Sequence, residues 1–295
     1  MHTGSVIALG PDGSVVLALG DVVRPVFPRS SNKPLQAAGL LAAGWSPADD
    51  ESVALATASH SGEPEHLAVV RRMLADAGLA PQALGCPPML PLSEPAAHAL
   101  LARGQTATRL TMNCSGKHAA MLACSVANGW PTESYLEQAH PVQVAMQATI
   151  EEMAGEPVLH VAVDGCGAPQ HALSLSGLAR SFAALVRTQP RVVDAMRAHP
   201  HLVGGTGRDV TALMQGVPGL VAKDGAEGVY AVALADGSAV AMKVEDGAGR
   251  ARTPILVAAL RRLGVAADVL DELATTPVYG GGRVVGEVRV TAPLA

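Results

Sequence analysis

Segments that read as β-strands lie near the two ends of this chain, and the long middle reads as helices and loops. Ser14 to Gly20 (SVVLALG) follows the turn signal Pro11-Asp12-Gly13. Near the other end, Gly228 to Leu234 and Ala239 to Val244 flank Asp236-Gly237 as a hairpin, and Arg283 to Val290 alternates like a final strand. Strands so far apart must be gathered into one antiparallel sheet with the intervening helices packed on its faces. That predicts an α+β or three-layer αβα architecture around a central, mostly antiparallel sheet.

The middle supplies the helices. One runs from about Lys33 to Leu41, and another spans Glu63 to Ala77, with Leu67, Val70 and Leu74 on one face and Gly78 to end it. A third follows Gly116 and is expected to bury Met121, Leu122 and Val126. Further helices are predicted over Val142–Met153, Leu173–Val186, Thr253–Leu263 and around Val269. The Pro-rich stretch from Gly78 to about Thr106 reads as irregular. Val158–Val163 is a short apolar strand that ends in the sharp turn Asp164-Gly165-Cys166-Gly167. There is no internal repeat, low-complexity tract or linker-like change of composition, so all 295 residues are expected to form a single domain. Apolar residues make up 49% but aromatics only 2%, so the core must rest on Ala, Val and Leu in close contact.

Several function classes are disfavoured. The net charge is −5 and the Lys and Arg residues are scattered, which argues against a nucleic-acid partner. No apolar run approaches a membrane span, and the start shows no secretory signal, which predicts a cytoplasmic protein with no membrane partner. Cys86, Cys114, Cys124 and Cys166 have no framework spacing and are expected to stay reduced.

Chemistry concentrates at a few points. In Arg29-Ser30-Ser31-Asn32-Lys33-Pro34, Ser30 and Lys33 have the Ser-x-x-Lys spacing, which puts a hydroxyl at a helix start and an amine one turn later. Such a lysine can take the serine proton, although Ser before a helix is also an ordinary cap, and Pro34 disfavours helical geometry at Lys33. Ser59-His60-Ser61-Gly62-Glu63 brings a second serine towards a helix head, or simply caps it. Asn113-Cys114-Ser115-Gly116-Lys117-His118 carries a thiol, hydroxyl, ammonium and imidazole at a helix entry. It could be a ligand set, an anion nest or a nucleophile site, or a cap with incidental charges. Gly204-Gly205-Thr206-Gly207-Arg208 lacks the ending of a phosphate loop and reads as a turn beside a substrate site. Lys243 falls inside a strand, opposite Met242 and Val244, where it faces solvent or a cleft.

Taken in order, these segments resemble one family. FPRSSNKPLQ (27–36), SHSGEPEH (59–66), MNCSGKHAAML (112–122), VDGCGAP (163–169), GTGR (205–208), AKDGAEGVY (222–230) and MKVEDGAGRA (242–251) are similar to the asparaginase II family of rhizobial, thermolabile L-asparaginases. The resemblance spans about residues 3 to 290. It implies a fold like that of the serine β-lactamases and penicillin-binding proteins, a homodimer, and hydrolysis of L-asparagine to L-aspartate and ammonia. It also implies Ser30 as nucleophile with Lys33 as its base, and Ser59 with Lys243 as a second Ser–Lys pair. Cys114, Lys117 and Cys166 would hold a zinc ion. Arg29, His60, His118, Asp164, Gly205 and Arg208 would contact substrate or support the residues that do.

Such relatives carry a further strand ahead of the position of His2, so the resemblance implies either a start site chosen late or a shortened sheet edge. The rival readings are a glutaminase or related amidase, a β-lactamase-like hydrolase, and a non-catalytic amino-acid-binding protein. The presence of Ser30, Lys33, Ser59 and Lys243 together disfavours the last.

Overall fold

The computed structural model describes residues 1–291, 293 and 294. Its strands are β1 (Gly4–Leu9), β2 (Val15–Leu19), β3 (Val161–Val163), β4 (Pro169–His171), β5 (Val221–Gly225), β6 (Val229–Ala233), β7 (Ala239–Val244), β8 (Thr276–Gly280) and β9 (Arg283–Val288). The helices up to the middle of the chain are α1 (Lys33–Ala42), α2 (Asp50–Ala56), α3 (Pro64–Asp76), α4 (Glu94–Ala102), α5 (Ser115–Ala127) and α6 (Pro141–Ala154). They are followed by α7 (Leu175–Thr188), α8 (Pro190–Ala198), α9 (Pro200–Val203), α10 (Asp209–Gly216), α11 (Arg252–Arg262) and α12 (Asp268–Leu273).

The central sheet has five strands in the order β2-β1-β7-β6-β5, with every neighbouring pair antiparallel. The expected gathering of distant segments therefore holds: β1 from the start of the chain pairs along its whole length with β7 near the end. Every residue of β6 is buried, as is every residue of β7 but Lys243, so both faces of the sheet are covered. Helices α7 and α11 each lie across β1, β6 and β7, giving the helix–sheet–helix layering. The buried apolar side chains form one continuous cluster made largely of Ala, Val, Leu and Met. Helix α1 runs through this cluster, buried from Lys33 to Leu40 and packed against α6, and it brings Lys33 into the interior.

Some sequence expectations need correction. Arg283 to Val290 does not enter the central sheet: among the described residues β9 pairs with β8, in a separate and largely exposed hairpin. Alternation registered strand geometry there, but it does not identify the pairing partner. Strands β1 and β5 were not anticipated, because both are short and buried on nearly every side, a pattern without period. The stretch expected to be irregular contains α4, whose cap Ser93 accepts from the Ala96 amide. Val126 is exposed rather than buried.

Candidate active site

Ser30 stands in a single 3-10 turn, Arg29–Asn32, that passes directly into α1. The helix begins at Lys33, so Pro34 falls in its first turn, where no amide hydrogen is needed. Lys33 takes helical angles (φ −60°, ψ −38°) directly before Pro34 all the same, so the first turn tolerates what the proline disfavours. Ser30 is half-buried, whereas Ser31, Asn32 and Lys33 are buried.

Lys33 Nζ meets three partners: Ala58 O at 2.5 Å, Ser59 Oγ at 3.1 Å and Cys114 Sγ at 3.1 Å. Ser59 lies just past α2, its amide bonded to Val203 O at 3.1 Å, and it is itself buried. The Ser-x-x-Lys lysine and the second serine are thus in contact. The expected Ser59–Lys243 pair is not formed. Lys243 Nζ donates to Glu227 O at 2.8 Å and Val244 O at 3.1 Å, so it braces the turn between β5 and β6.

The second buried lysine beside the Ser30 turn is Lys223 on β5. Its Nζ donates to Asp224 Oδ1 at 2.6 Å and Asp224 O at 2.7 Å, while its carbonyl accepts from Ser31 Oγ at 3.0 Å. Burial, aided by the nearby charges of Lys33 and Arg208, outweighs Asp224 and lowers its pKa to about 8. Burial alone would raise the Asp224 carboxyl, but Lys223, Arg208 and Arg252 hold it far below the usual range. The next residue, Gly225, sits against the same turn: a Cβ there would lie 2.4 Å from Pro28 O and 2.9 Å from Ser31 Oγ. Lys223 is not among the residues that the sequence motifs single out. Its signal was the charged Lys223-Asp224 interrupting an otherwise apolar run within the block 222–230.

Arg208 joins the two halves of this centre, with NH2 donating to Asp224 Oδ2 at 2.7 Å and NH1 to Ser59 O at 3.4 Å. Gly205 packs beneath it, with φ at 125° and a Cβ position only 2.3 Å from Ser61 Oγ, so no side chain fits. On the other side, Arg29 donates through Nε to Asp164 Oδ1 at 2.6 Å and through NH1 to Glu227 Oε1 at 2.6 Å. Burial works against its charge, but Asp164 and Glu227 outweigh it and raise its pKa.

Cys114, Lys117, His118 and Cys166 are buried together. Lys117 Nζ donates to Cys166 Sγ at 3.3 Å, and Cys114 Sγ donates to Asn113 Oδ1 at 3.0 Å. Cys114 raises its pKa against Cys166, whose own is driven far down by Cys114, Lys117 and His118. Burial opposes the Lys117 ammonium, yet Cys166, Cys114 and Asp164 more than offset it. His118 Nδ1 lies 2.6 Å from Tyr135 OH, and its buried Nε2 has no hydrogen-bond partner among the described residues. All four cysteines are free.

His60 is fully buried rather than open to a cleft. Its Nε2 is 2.9 Å from Ser115 Oγ, Nδ1 accepts from the Gly62 amide, and burial pushes its pKa well down. Its ring stacks on His66, which stacks on His201. Glu63, His66 and His201 could face a metal ion together. However, His66 spends Nδ1 on the Glu63 amide and Nε2 on His201 O, while Glu63 takes the amide and hydroxyl of Thr206. These residues are a closed cap on α3 and a brace for the Gly205 loop.

A half-buried serine with a buried amine one turn away, a second serine on that amine and a second buried lysine can run nucleophilic acyl transfer. A profile of the family described as L-asparaginase II matches residues 1–290. The chain belongs to the L-asparaginase II family. No curated protein matches it. Among solved structures it is similar to a candidate β-lactamase from Bacteroides dorei DSM 17855, at 16% identity and a TM-score of 0.45 over 82% of this chain and 85% of that one. It is also similar to a β-lactamase from Mycobacterium bovis, at 14% identity and a TM-score of 0.43 over 84% and 88%.

In this L-asparaginase II family member, the described residues contain no helix long and apolar enough to cross a membrane. Family membership makes it an amidohydrolase.

Proposed function

We propose that the protein hydrolyses the side-chain amide of L-asparagine to L-aspartate and ammonia through an acyl-enzyme on Ser30. The observation that carries this reading is the contact of Lys33 Nζ with Ser59 Oγ at 3.1 Å, one helical turn from a more open Ser30. Ser30 Oγ attacks the amide carbon, and its proton passes to the lone pair of Lys33. The Ser30 amide, which has no acceptor among the described residues, donates to the oxyanion. Lys33 returns the proton through Ser59 to the departing nitrogen, the C–N bond breaks, and ammonia leaves. Water then attacks the ester, releasing aspartate and restoring Ser30. Lys223, behind the turn, contributes positive charge where negative charge develops.

The thiol cluster fits a soft divalent cation such as zinc, since two thiols converge and the His118 Nε2 beside Cys166 lacks a partner. Cys114, Lys117 and Cys166 would hold it. When bound, it would supply a Lewis acid that fixes substrate near Ser30. Lys117, Cys166 and Asp164 keep the cluster electrostatically tied to Arg29.

A second reading has Ser59 as the nucleophile, because Ser59 is the serine that touches Lys33. Its burial argues against that. The test is ammonia release from L-asparagine and L-glutamine, joined to mass-spectrometric mapping of the serine labelled by an electrophilic asparagine analogue. Label on Ser30, with a Ser30→Ala protein that is folded and inactive, supports the proposal; label on Ser59 transfers the role. A folded parent that releases no ammonia from asparagine overturns the substrate assignment. A homodimer in the cytoplasm remains part of this proposal, with light scattering as its check.

A further inference from the structure

Among the described residues only two non-glycine residues have left-handed backbone, Arg29 with φ 54° and Glu227 with φ 58°. Their side chains are bound to each other at 2.6 Å. Single strained residues persist where the surroundings over-determine them, and they gather at functional sites. Both of these are held from outside. The Val26 backbone ahead of Arg29 pairs in both directions with Leu173, and Pro28 O is seated over Gly225. The Glu227 carbonyl accepts from Lys243 Nζ at 2.8 Å, and Gly228 O accepts from the Val244 amide at 2.9 Å. The two strained residues meet beside Ser30.

The guanidinium is bound unequally. Its Nε is fixed by Asp164, whose side chain is 6% exposed, whereas NH1 is held by Glu227, whose side chain is 65% exposed. NH2 donates to no acceptor among the described residues, and it lies against Gly165. The NH1/NH2 edge is the face of a guanidinium that takes a carboxylate in two parallel hydrogen bonds. We propose that Glu227 is a tethered placeholder on a carboxylate seat formed by Arg29, displaced by the α-carboxylate of the substrate and thereby setting specificity for amides that carry one. This rests on the amidohydrolase reading of the Ser30 site. A carboxylate that engages both NH1 and NH2 outcompetes a singly bound, exposed glutamate. An amide without a carboxylate gains nothing from the seat.

Two measurements on the full-length protein test this. The first is binding of L-aspartate, followed by calorimetry in the parent, Glu227→Gln and Glu227→Gly proteins; the glycine variant also removes the left-handed penalty. Both variants should bind about two- to fivefold more tightly, the range of an exposed ion pair. Equal or weaker binding, or none in any of the three, overturns the placeholder. The second compares L-asparagine with 3-aminopropanamide, the same amide without the α-carboxylate. Loss of Glu227 should lower KM for asparagine by the same factor and leave KM for the other amide in place. A change shared by both substrates would mean that Glu227 only shapes the turn, and the proposal falls. Ammonia release by the parent protein judges the amidohydrolase reading separately, because L-aspartate binding needs no turnover.

Discussion

Lys33 reaches past its own helix to the hydroxyl of Ser59, 3.1 Å from its Nζ, and among the described residues no acidic side chain accepts a hydrogen bond from it. The amine is therefore buried among a carbonyl, a hydroxyl and a thiol, which suits proton transfer better than stability. Lys33→Met should lower kcat by about 10³-fold or more, the scale for removing a paired base. Its thermal midpoint should stay level or rise, because methionine fills a similar volume without a polar group to bury. Ser59→Ala should cost about 10²-fold or more in kcat. The double variant should be little worse than Lys33→Met alone, because the two groups act on one proton. Additive losses in ammonia-release kinetics would separate them.

Lys223 sets a pH limit. Its folded pKa of about 8 lies below its ordinary value of 10.5. Between those values the unfolded chain binds a proton that the folded protein does not, so this group makes stability rise with pH over that window. Below about 8 the full cost of its buried charge is present. Activity should run the other way: if the ammonium stabilises the oxyanion, kcat/KM falls as pH climbs through about 8. Lys223→Arg should shift that fall upward. A rate that rises through the same pH would instead make Lys223 a base.

Much of this was legible before the fold was known, and the exceptions have physical causes. The hairpin of β6 and β7 was marked by Asp236-Gly237, and α1, α5 and α6 by periodicity and flanking Gly or Pro. Lys33, Ser59 and Arg208 meet one turn past Ser30, and Cys114, Lys117 and Cys166 are neighbours. Which lysine stands beside the Ser30 turn was not legible. Lys223 and Lys243 each interrupt an apolar strand, and both belong to the same face by register, Lys223 with Ala231 and Ala241, Lys243 with Val229. Strand order decides between them: β5 lies against the Ser30 turn, and β7 is two strands away. Sheet order is a tertiary fact that alternation does not encode.

Zinc binding can be read without turnover. Protein purified with zinc present should retain about one ion per chain on elemental analysis, as a closed thiol site would. Cys166→Ala and Cys114→Ala should lose it. Added zinc should raise the thermal midpoint of the parent but not of either variant, since only a ligand bound to the folded state stabilises it. A parent without metal and without any thermal response would remove the ion from the mechanism.

His171 supplies an acid-side signature. It is buried, neither ring nitrogen has a partner among the described residues, and burial together with the charge of Lys117 lowers its pKa to about 4. The folded protein keeps it neutral while the unfolded chain takes up a proton below 6.5, so stability is lost as pH falls from about 6.5 to about 4. The loss should approach roughly 3 kcal/mol. Urea unfolding of the parent and His171→Phe proteins at pH 7 and pH 5 should show a smaller acid-side loss in the variant. Equal losses would assign the acid sensitivity to other groups.

Gly225 couples the sheet to the nucleophile. A methyl group there would meet Pro28 O at 2.4 Å and Ser31 Oγ at 2.9 Å, so the turn carrying Ser30 or the end of β5 must move. Because Pro28 O contributes backbone, the strain cannot be relieved by a side-chain rotation. Overpacking of this kind costs about 1–3 kcal/mol, and part of it would appear as displacement of Ser30. Displacement of a reacting atom by about 1 Å is worth about 10²-fold in rate. Gly225→Ala should therefore retain the fold, with a modest drop in thermal midpoint, and lose kcat by one to two orders of magnitude. If it kept full activity, the close approach of β5 to the Ser30 turn would not be what sets the nucleophile's position.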